Sequence, residues 1–179
     1  YLDDFNATRG THLVNVAAVH IEPMGVYAGK TASLEELADG ATIAVPSDAT
    51  NEGRALLLLE TQGLIKLADS TNLSSTPNDI VENSKNLEFV EMEAAQIPSS
   101  LADVDLAVIN SNYALGAGLN PTEDALVLES ADSPYVNVLV VKEGNEETPA
   151  VLALIEALHS DTIRTYIEET YGGAVIPAF

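Results

Sequence analysis

A guanidinium set inside an apolar helix is the first candidate for chemistry in this sequence. Residues 41–65, ATIAVPSDATNEGRALLLLETQGLI, read as a strand (41–45), a polar turn (46–51) and an aliphatic helix stopped by Gly63. With Thr50 or Asn51 as the helix cap, Arg54 falls in the first turn, where free backbone N–H groups already carry partial positive charge. A cation is disfavoured there unless an anion lies between it and those donors. Arg54 is therefore a candidate anion clamp, its planar fork suited to a small carboxylate or phosphate. The competing reading packs its stem on the sheet and pairs it with Glu52 or another acid.

A second polar cluster, Asn110, Asn112 and Tyr113, follows the apolar run DLAVI at 105–109. Open α/β sheets bind ligands beyond the carboxyl ends of their strands. Thr50, Asn51 and Arg54 would converge with Asn110, Asn112 and Tyr113 if the two strands are neighbours. Turn and capping roles account for the asparagines equally well. Asn137 interrupts the apolar run PYVNVLVV at 134–141. Buried and unpaired its amide would cost about 1–3 kcal/mol, so it bonds a neighbouring backbone or a ligand.

The elements that must position these groups alternate between strand and helix. Residues 1–10 read as a helix tail stopped by Gly10, and 13–20 as a strand. Residues 21–30, with Pro23 and Gly25, read as a bent crossing segment that carries Tyr27. Ser33 is placed as the cap of a short helix with Glu36 as its capping-box partner. The polar stretch 68–79 is surface loop, 80–86 a short helix, 87–92 a half-exposed strand and 94–101 a helix or turn broken by Pro98. Two helices follow at 148–159 and 161–171, the second stopped by Gly172 and Gly173. The order of elements gives an α/β fold without internal repeats.

Composition narrows the classes of function. The chain has 179 residues, 46% hydrophobic, with 7 Lys+Arg against 28 Asp+Glu and a formal net charge of −21. Such a chain repels nucleic-acid phosphates, so no nucleic-acid partner is expected. It holds no cysteine, which leaves no disulfide framework, thiol nucleophile or thiolate metal site. No apolar run approaches the ~20 residues that span a bilayer. His12, His20 and His159 lie in separate elements, and Asp103 and Asp105 read as a solvated turn at a strand start, so no metal site is expected. There is no GxSxG elbow, P-loop or complete GxGxxG, of which Gly116-Ala117-Gly118 is a fragment. No catalytic residue, no cofactor and no enzymatic activity are expected.

Long segments carry a family resemblance: HIEPMGVYAGK, DGATIAVPSDATNEGRALLLLETQGLIKL, VENSKNLEFVEMEAAQIPSSLADVDLAVINSNYALGAGLNP, DSPYVNVLVV and GGAVIPAF. Together they resemble the methionine-binding lipoproteins of bacterial ABC importers, the NlpA/MetQ family, over essentially the whole chain. The resemblance implies a type II periplasmic-binding-protein fold, two α/β lobes with a ligand cleft. Its expected divisions are 1–37 (part of the first lobe and a crossing segment), 38–133 (the second lobe) and 134–179 (a crossing strand and the return). By the resemblance Arg54 would take the ligand α-carboxylate and Asn137 would bond its polar head group. Asn112, with Tyr113 or Asn110, would complete that shell, and Tyr27 would line the pocket. Of the family's Phe-Gln-His-x-Pro-Tyr-Leu motif only Tyr1 and Leu2 are present, which makes Tyr1 a candidate wall for the thioether.

The family carries a β-α-β segment before that motif and a lipidated cysteine ahead of it. The chain opens inside a helix, so upstream residues are expected; without them the first lobe would expose unpaired strand edges and apolar surface. The function implied is an extracytoplasmic, lipid-anchored substrate-binding protein that delivers methionine to an ABC permease and ATPase complex. The alternatives are another amino acid, D-methionine or a Met-containing dipeptide on the same fold, or a surface lipoprotein without transport. A small-acid enzyme in the same crevice is disfavoured by the missing base.

Overall fold

The computed structural model describes residues 1–130 and 133–179; Asp132 of the DSPYVNVLVV motif lies outside them. The chain opens with α1 (Leu2–Arg9), β1 (Leu13–Ile21), β2 (Gly25–Ala28), β3 (Thr42–Pro46) and α2 (Ala49–Thr61). Then come β4 (Lys66–Leu67), β5 (Ile80–Glu82), β6 (Glu88–Met92), a 3₁₀ segment (Ala94–Ser100) and β7 (Leu106–Ile109). The remainder is α3 (Ser111–Gly116), α4 (Pro121–Asp124), β8 (Ala125–Leu128), β9 (Val136–Lys142), α5 (Pro149–Leu158), α6 (Asp161–Tyr171) and β10 (Ile176–Pro177). The chain divides into two compact units, Met24–Glu129 and the pair of segments Tyr1–Pro23 and Ser130–Phe179.

In Met24–Glu129 a five-stranded sheet has the order β6-β3-β7-β2-β8. β3 runs parallel to β6 and β7, and β2 runs antiparallel to β7 and β8. Successive residues of a strand face opposite sides of the sheet, and here both sides are covered. Ile43, Val45, Leu106, Val108 and Val26 pack with Leu56 and Leu59 of α2. Their neighbours Ala44, Ala107, Ile109 and Tyr27 pack with Ile97 and Ala114. That explains the unbroken apolar runs of β3 and β7, since a two-sided strand has no position for a polar residue. Each fully buried leucine of α2 contributes about 1.5–3 kcal/mol relative to exposure.

α2 is fixed at its start and along its length. Asp48 caps it, accepting from the Asn51 N–H at 3.1 Å. Gly53 sits inside the helix, where glycine costs about 1 kcal/mol relative to alanine. The loop after α2 accounts for it: a Cβ at this position would lie 2.4 Å from the Leu73 carbonyl oxygen. The amino ends of β3 and β7 are tied by Asp105, whose carboxylate accepts from Thr42 N–H (2.8 Å), Thr42 Oγ1 (3.0 Å) and Thr31 Oγ1 (3.3 Å). The expected solvated turn at Asp105 is thus a clasp between strands.

The unit Tyr1–Pro23 with Ser130–Phe179 is built on a three-stranded antiparallel sheet, order β10-β1-β9. β1 carries two register shifts against β9, at Asn15/Ala17 and Ala18/His20. Among the described residues its buried hydrophobic ones are few: Ala17, Ile21, Ile167, Ala174 and Val175. α5 reads PAVLALIEAL yet has no buried residue. Phe179 is held by a stacked His159 ring at 4.7 Å and by the Arg164 guanidinium 4.7 Å above its face, while His159 Nε2–H donates to the Ala18 carbonyl at 2.8 Å.

Several expectations are corrected. The bent segment is bent only before Met24, and Gly25–Ala28 is a strand inside the five-stranded sheet. Ser33 Oγ accepts from Glu36 N–H at 3.4 Å, but the segment is a turn: its Leu37 is buried in the core, and a run this short does not offset the cost of helix nucleation. Residues 80–82 form a strand where a helix was expected. Thr76 and Asp79 close a capping box around a 3₁₀ turn, which releases Ile80 in extended conformation to pair with Leu67.

Candidate functional site

β3 and β7 are parallel neighbours, with Ile43 opposite Leu106 and Ala44 opposite Ala107, so their carboxyl ends open on the same edge of the sheet. The cap and first turn of α2, just after β3, deliver Asp48, Thr50 and Asn51, and the residue after β7 is Asn110. Asn110 does not cap α3 with its side chain; its Nδ2 donates instead to Asn51 Oδ1 at 2.8 Å. Asn51 Nδ2 in turn donates to Asp48 Oδ1 and Oδ2 at 3.0 and 3.1 Å.

The sense of this row is forced. A carboxylate only accepts, so the amide NH₂ of Asn51 must face Asp48 and its oxygen must face Asn110. Asn110 then presents its NH₂ to Asn51, and its own Oδ1 is left buried without a partner. An unmet buried acceptor costs about 1–3 kcal/mol, so the site is finished only when a donor reaches that atom.

Arg54 lies one helical turn beyond Asn51 on the same face of α2. The cap is Asp48 and not Thr50 or Asn51, so Arg54 stands in the second turn. The argument from the helix dipole therefore does not apply to it, because that effect fades beyond the first turn. Its partner is Glu129, a residue the sequence did not single out. Arg54 Nε donates to Glu129 Oε1 and Oε2 at 3.1 and 3.0 Å, and Nη2 donates to Oε2. The Glu129 carboxylate also accepts from the Met24 N–H at 3.1 Å. Both side chains are nearly out of solvent, at 10% and 13% exposure. The expected partner Glu52 faces elsewhere. It is buried, and burial first, then hydrogen bonding and charge from Glu91, with Asp48 and Asp79 adding, pushes its carboxyl up to about 7.

The other residues of this unit are placed apart from that row. Asn112 and Tyr113 are exposed on α3 and line a separate groove of about 400 Å³ with Ala95, Pro98 and Ser99. Thr50 is half-buried in the first turn of α2. Tyr27 is buried on the sheet face opposite α2, among Ala44, Ile97 and Ala114, with its hydroxyl unpartnered. Burial, with the charge of Asp124 adding, pushes its phenol up to about 12.

In the unit of Tyr1–Pro23 and Ser130–Phe179, Asn137 stands opposite His20 on β9. It is exposed, so the cost of burying its amide does not arise. Tyr1 and Asn137 line one open cavity of about 580 Å³ together with Phe5, Leu13 and Val138. Among the described residues no group of three or more His, Cys, Asp or Glu could hold a metal ion, and no helix is long and apolar enough to cross a membrane.

The comparisons with known proteins agree with the α/β architecture. The chain is 45% identical over 178 residues to the D-methionine-binding lipoprotein MetQ of Salmonella typhi, covering 98% of this chain and 66% of that relative. It thus spans just under two thirds of the relative's length. Among solved structures it is similar to a lipoprotein of Ruminococcus gnavus, with a TM-score of 0.93 and 50% identity over 100% of this chain and 75% of that one. A nutrient binding protein of Burkholderia cenocepacia, solved bound to methionine, gives a TM-score of 0.93 and 45% identity over 100% of this chain and 76% of that one. The NlpA lipoprotein family matches residues 1–179 without interruption, and the chain belongs to that family.

Proposed function

We propose that the chain is part of an extracytoplasmic substrate-binding protein that captures methionine and delivers it to an ABC permease and its ATPase, held at the membrane by a lipid anchor. The observation that carries this reading is a guanidinium on α2 and an unmet acceptor on Asn110, the residue after β7, tied to α2 through Asn51. Arg54 offers donors to a carboxylate, and Asn110 Oδ1, one turn away through Asn51, asks for a donor such as an ammonium. Those are the two charged ends of an α-amino acid. Family membership and the methionine-bound Burkholderia relative supply the side chain.

Arg54 is assigned the carboxylate and Asn110 the ammonium, with Asn51 orienting Asn110. Asn137 and Tyr1, which share a cavity in their own unit, are assigned as that unit's ligand contacts. Tyr27 is assigned to the pocket wall through its unpartnered hydroxyl. Thr50 is kept as a candidate in the first turn of α2. Asn112 and Tyr113, facing their own groove, are the weakest members of the set.

Calorimetric titration with methionine tests the reading. Arg54→Gln is expected to weaken binding by about 1.5–3 kcal/mol, the worth of charge-assisted hydrogen bonds. Unchanged affinity would remove Arg54 from the site. A second reading, D-methionine as the ligand, is favoured by the name of the Salmonella relative; titration with each enantiomer separates the two.

A further inference from the structure

Asp48 holds Asn51 at two points. Its carboxylate accepts from the Asn51 backbone N–H at 3.1 Å and from the side-chain Nδ2 at 3.0 and 3.1 Å. The first contact caps α2. A cap needs only an acceptor, and asparagine or serine supplies one about as well as aspartate. The second contact asks for more, because only a group with no proton to give fixes which end of the Asn51 amide faces it. Through the 2.8 Å bond from Asn110 Nδ2 to Asn51 Oδ1, that choice reaches Asn110, whose buried Oδ1 has no partner. Asp48 itself is exposed and bonds Asn51, not Asn110. It therefore acts on that oxygen from a distance.

We propose that Asp48 is a positioning residue that makes the site select an α-amino acid over the α-hydroxy acid of the same shape, by keeping the Asn110 oxygen, and not its NH₂, as the group offered to the ligand. The proposal rests on the assignment of Asn110 to the ligand ammonium. An ammonium only donates, so it needs that oxygen. A hydroxyl both donates and accepts, so a hydroxy acid is served by either end of the Asn110 amide. Asp48 thus holds back the one arrangement in which the two ligands would lose their difference.

The test is calorimetric titration of the full chain with methionine and with its α-hydroxy analogue, in which a hydroxyl replaces the ammonium. Asp48→Asn and Asp48→Ser keep a capping side chain, so both are expected to retain the unfolding midpoint; should one fail to fold, the other decides. In each, Asn110 presents oxygen for only part of the time, and the preference for methionine over the hydroxy analogue is expected to fall by ~3-fold or more with that fraction. Affinity for the hydroxy analogue stays nearly as in wild type. A preference kept in the variants, or an equal weakening of both ligands, overturns the proposal in favour of capping alone. Direct attraction between the Asp48 charge and the ammonium is separated by salt, since going from about 0.1 to 1 M shortens the screening length from about 10 to 3 Å. The wild-type preference is expected to persist, and its fall to the variants' value overturns the orienting role. Asn110→Ala tests the underlying assignment. A preference unchanged there withdraws the assignment and the proposal with it, whereas a preference lost there and kept in the Asp48 variants overturns the proposal alone.

Discussion

The two units treat their apolar residues differently. In Met24–Glu129, β3 and β7 are covered on both faces and Ile43, Leu56, Leu59 and Leu106 are fully buried. In the unit of Tyr1–Pro23 and Ser130–Phe179, β9 is an edge strand of a three-stranded sheet, α5 has no fully buried residue, and Leu152 and Leu154 are 50% and 45% exposed. The oriented polar row of Asp48, Asn51 and Asn110 belongs to the first of these, while Asn137 and Tyr1 sit exposed on the second. The polar row is thus carried by strands packed on both faces, the kind of support that fixes side-chain geometry in a site.

The contrast is easiest to break in the core. Leu56→Ala should cost about 2–5 kcal/mol in urea unfolding of Met24–Glu129, and a loss within the range of a surface change would show that its packing is overstated. Smaller effects come from the carboxylates. Asp105→Asn should destabilise the same unit by weakening the Thr42 and Thr31 clasp. The Thr42 N–H holds the Asp105 carboxyl below its usual value, so this stabilisation is in place at neutral pH and is lost as pH falls through the lowered value. Glu52 runs the other way. Its folded value, raised to about 7, lies above its unfolded one, so its stabilisation is complete at acid pH and is lost as pH rises through about 7. Glu52→Gln should flatten that part of the stability profile, and an unchanged slope between about pH 5 and 7, the span from the usual carboxylate range to the raised value, would mean that burial does not raise the Glu52 carboxyl. Smallest of all, Leu154→Ala on α5 should change stability by no more than about 0.5 kcal/mol, and a core-sized loss there would overturn the contrast from the other side.

Much of Met24–Glu129 was legible because its signals are local. The strand, turn and helix at 41–65 follow from an apolar run, capping residues and Gly63, whereas the adjacency of β3 and β7 is a condition that the sequence leaves open and the sheet order supplies. The cap itself was misread because Ser47, Asp48, Thr50 and Asn51 are all competent caps, and only the chain path selects Asp48. Glu129 gave no signal: it is one of 28 acidic residues and lies 75 residues from its partner. β2 was missed for the opposite reason. Pro23 and Gly25 announce a bend, yet Gly25 is there because a Cβ would meet the Tyr27 ring at 2.8 Å and the Ala125 Cβ at 3.2 Å inside a tight sheet. The Tyr1–Asn137 cavity was reached through family resemblance, since nothing local ties the two residues.

The row from Asp48 to Asn110 works as a rectifier. Aspartate can be read in only one direction, and that asymmetry is passed along two amides until it emerges as a bare acceptor at Asn110 Oδ1. Asparagine at position 48 would both donate and accept, and the row would then run in either sense, ending on oxygen or on NH₂. A change at a helix cap would therefore alter what the row presents at Asn110 Oδ1, with Asn51 and Asn110 themselves left as they were.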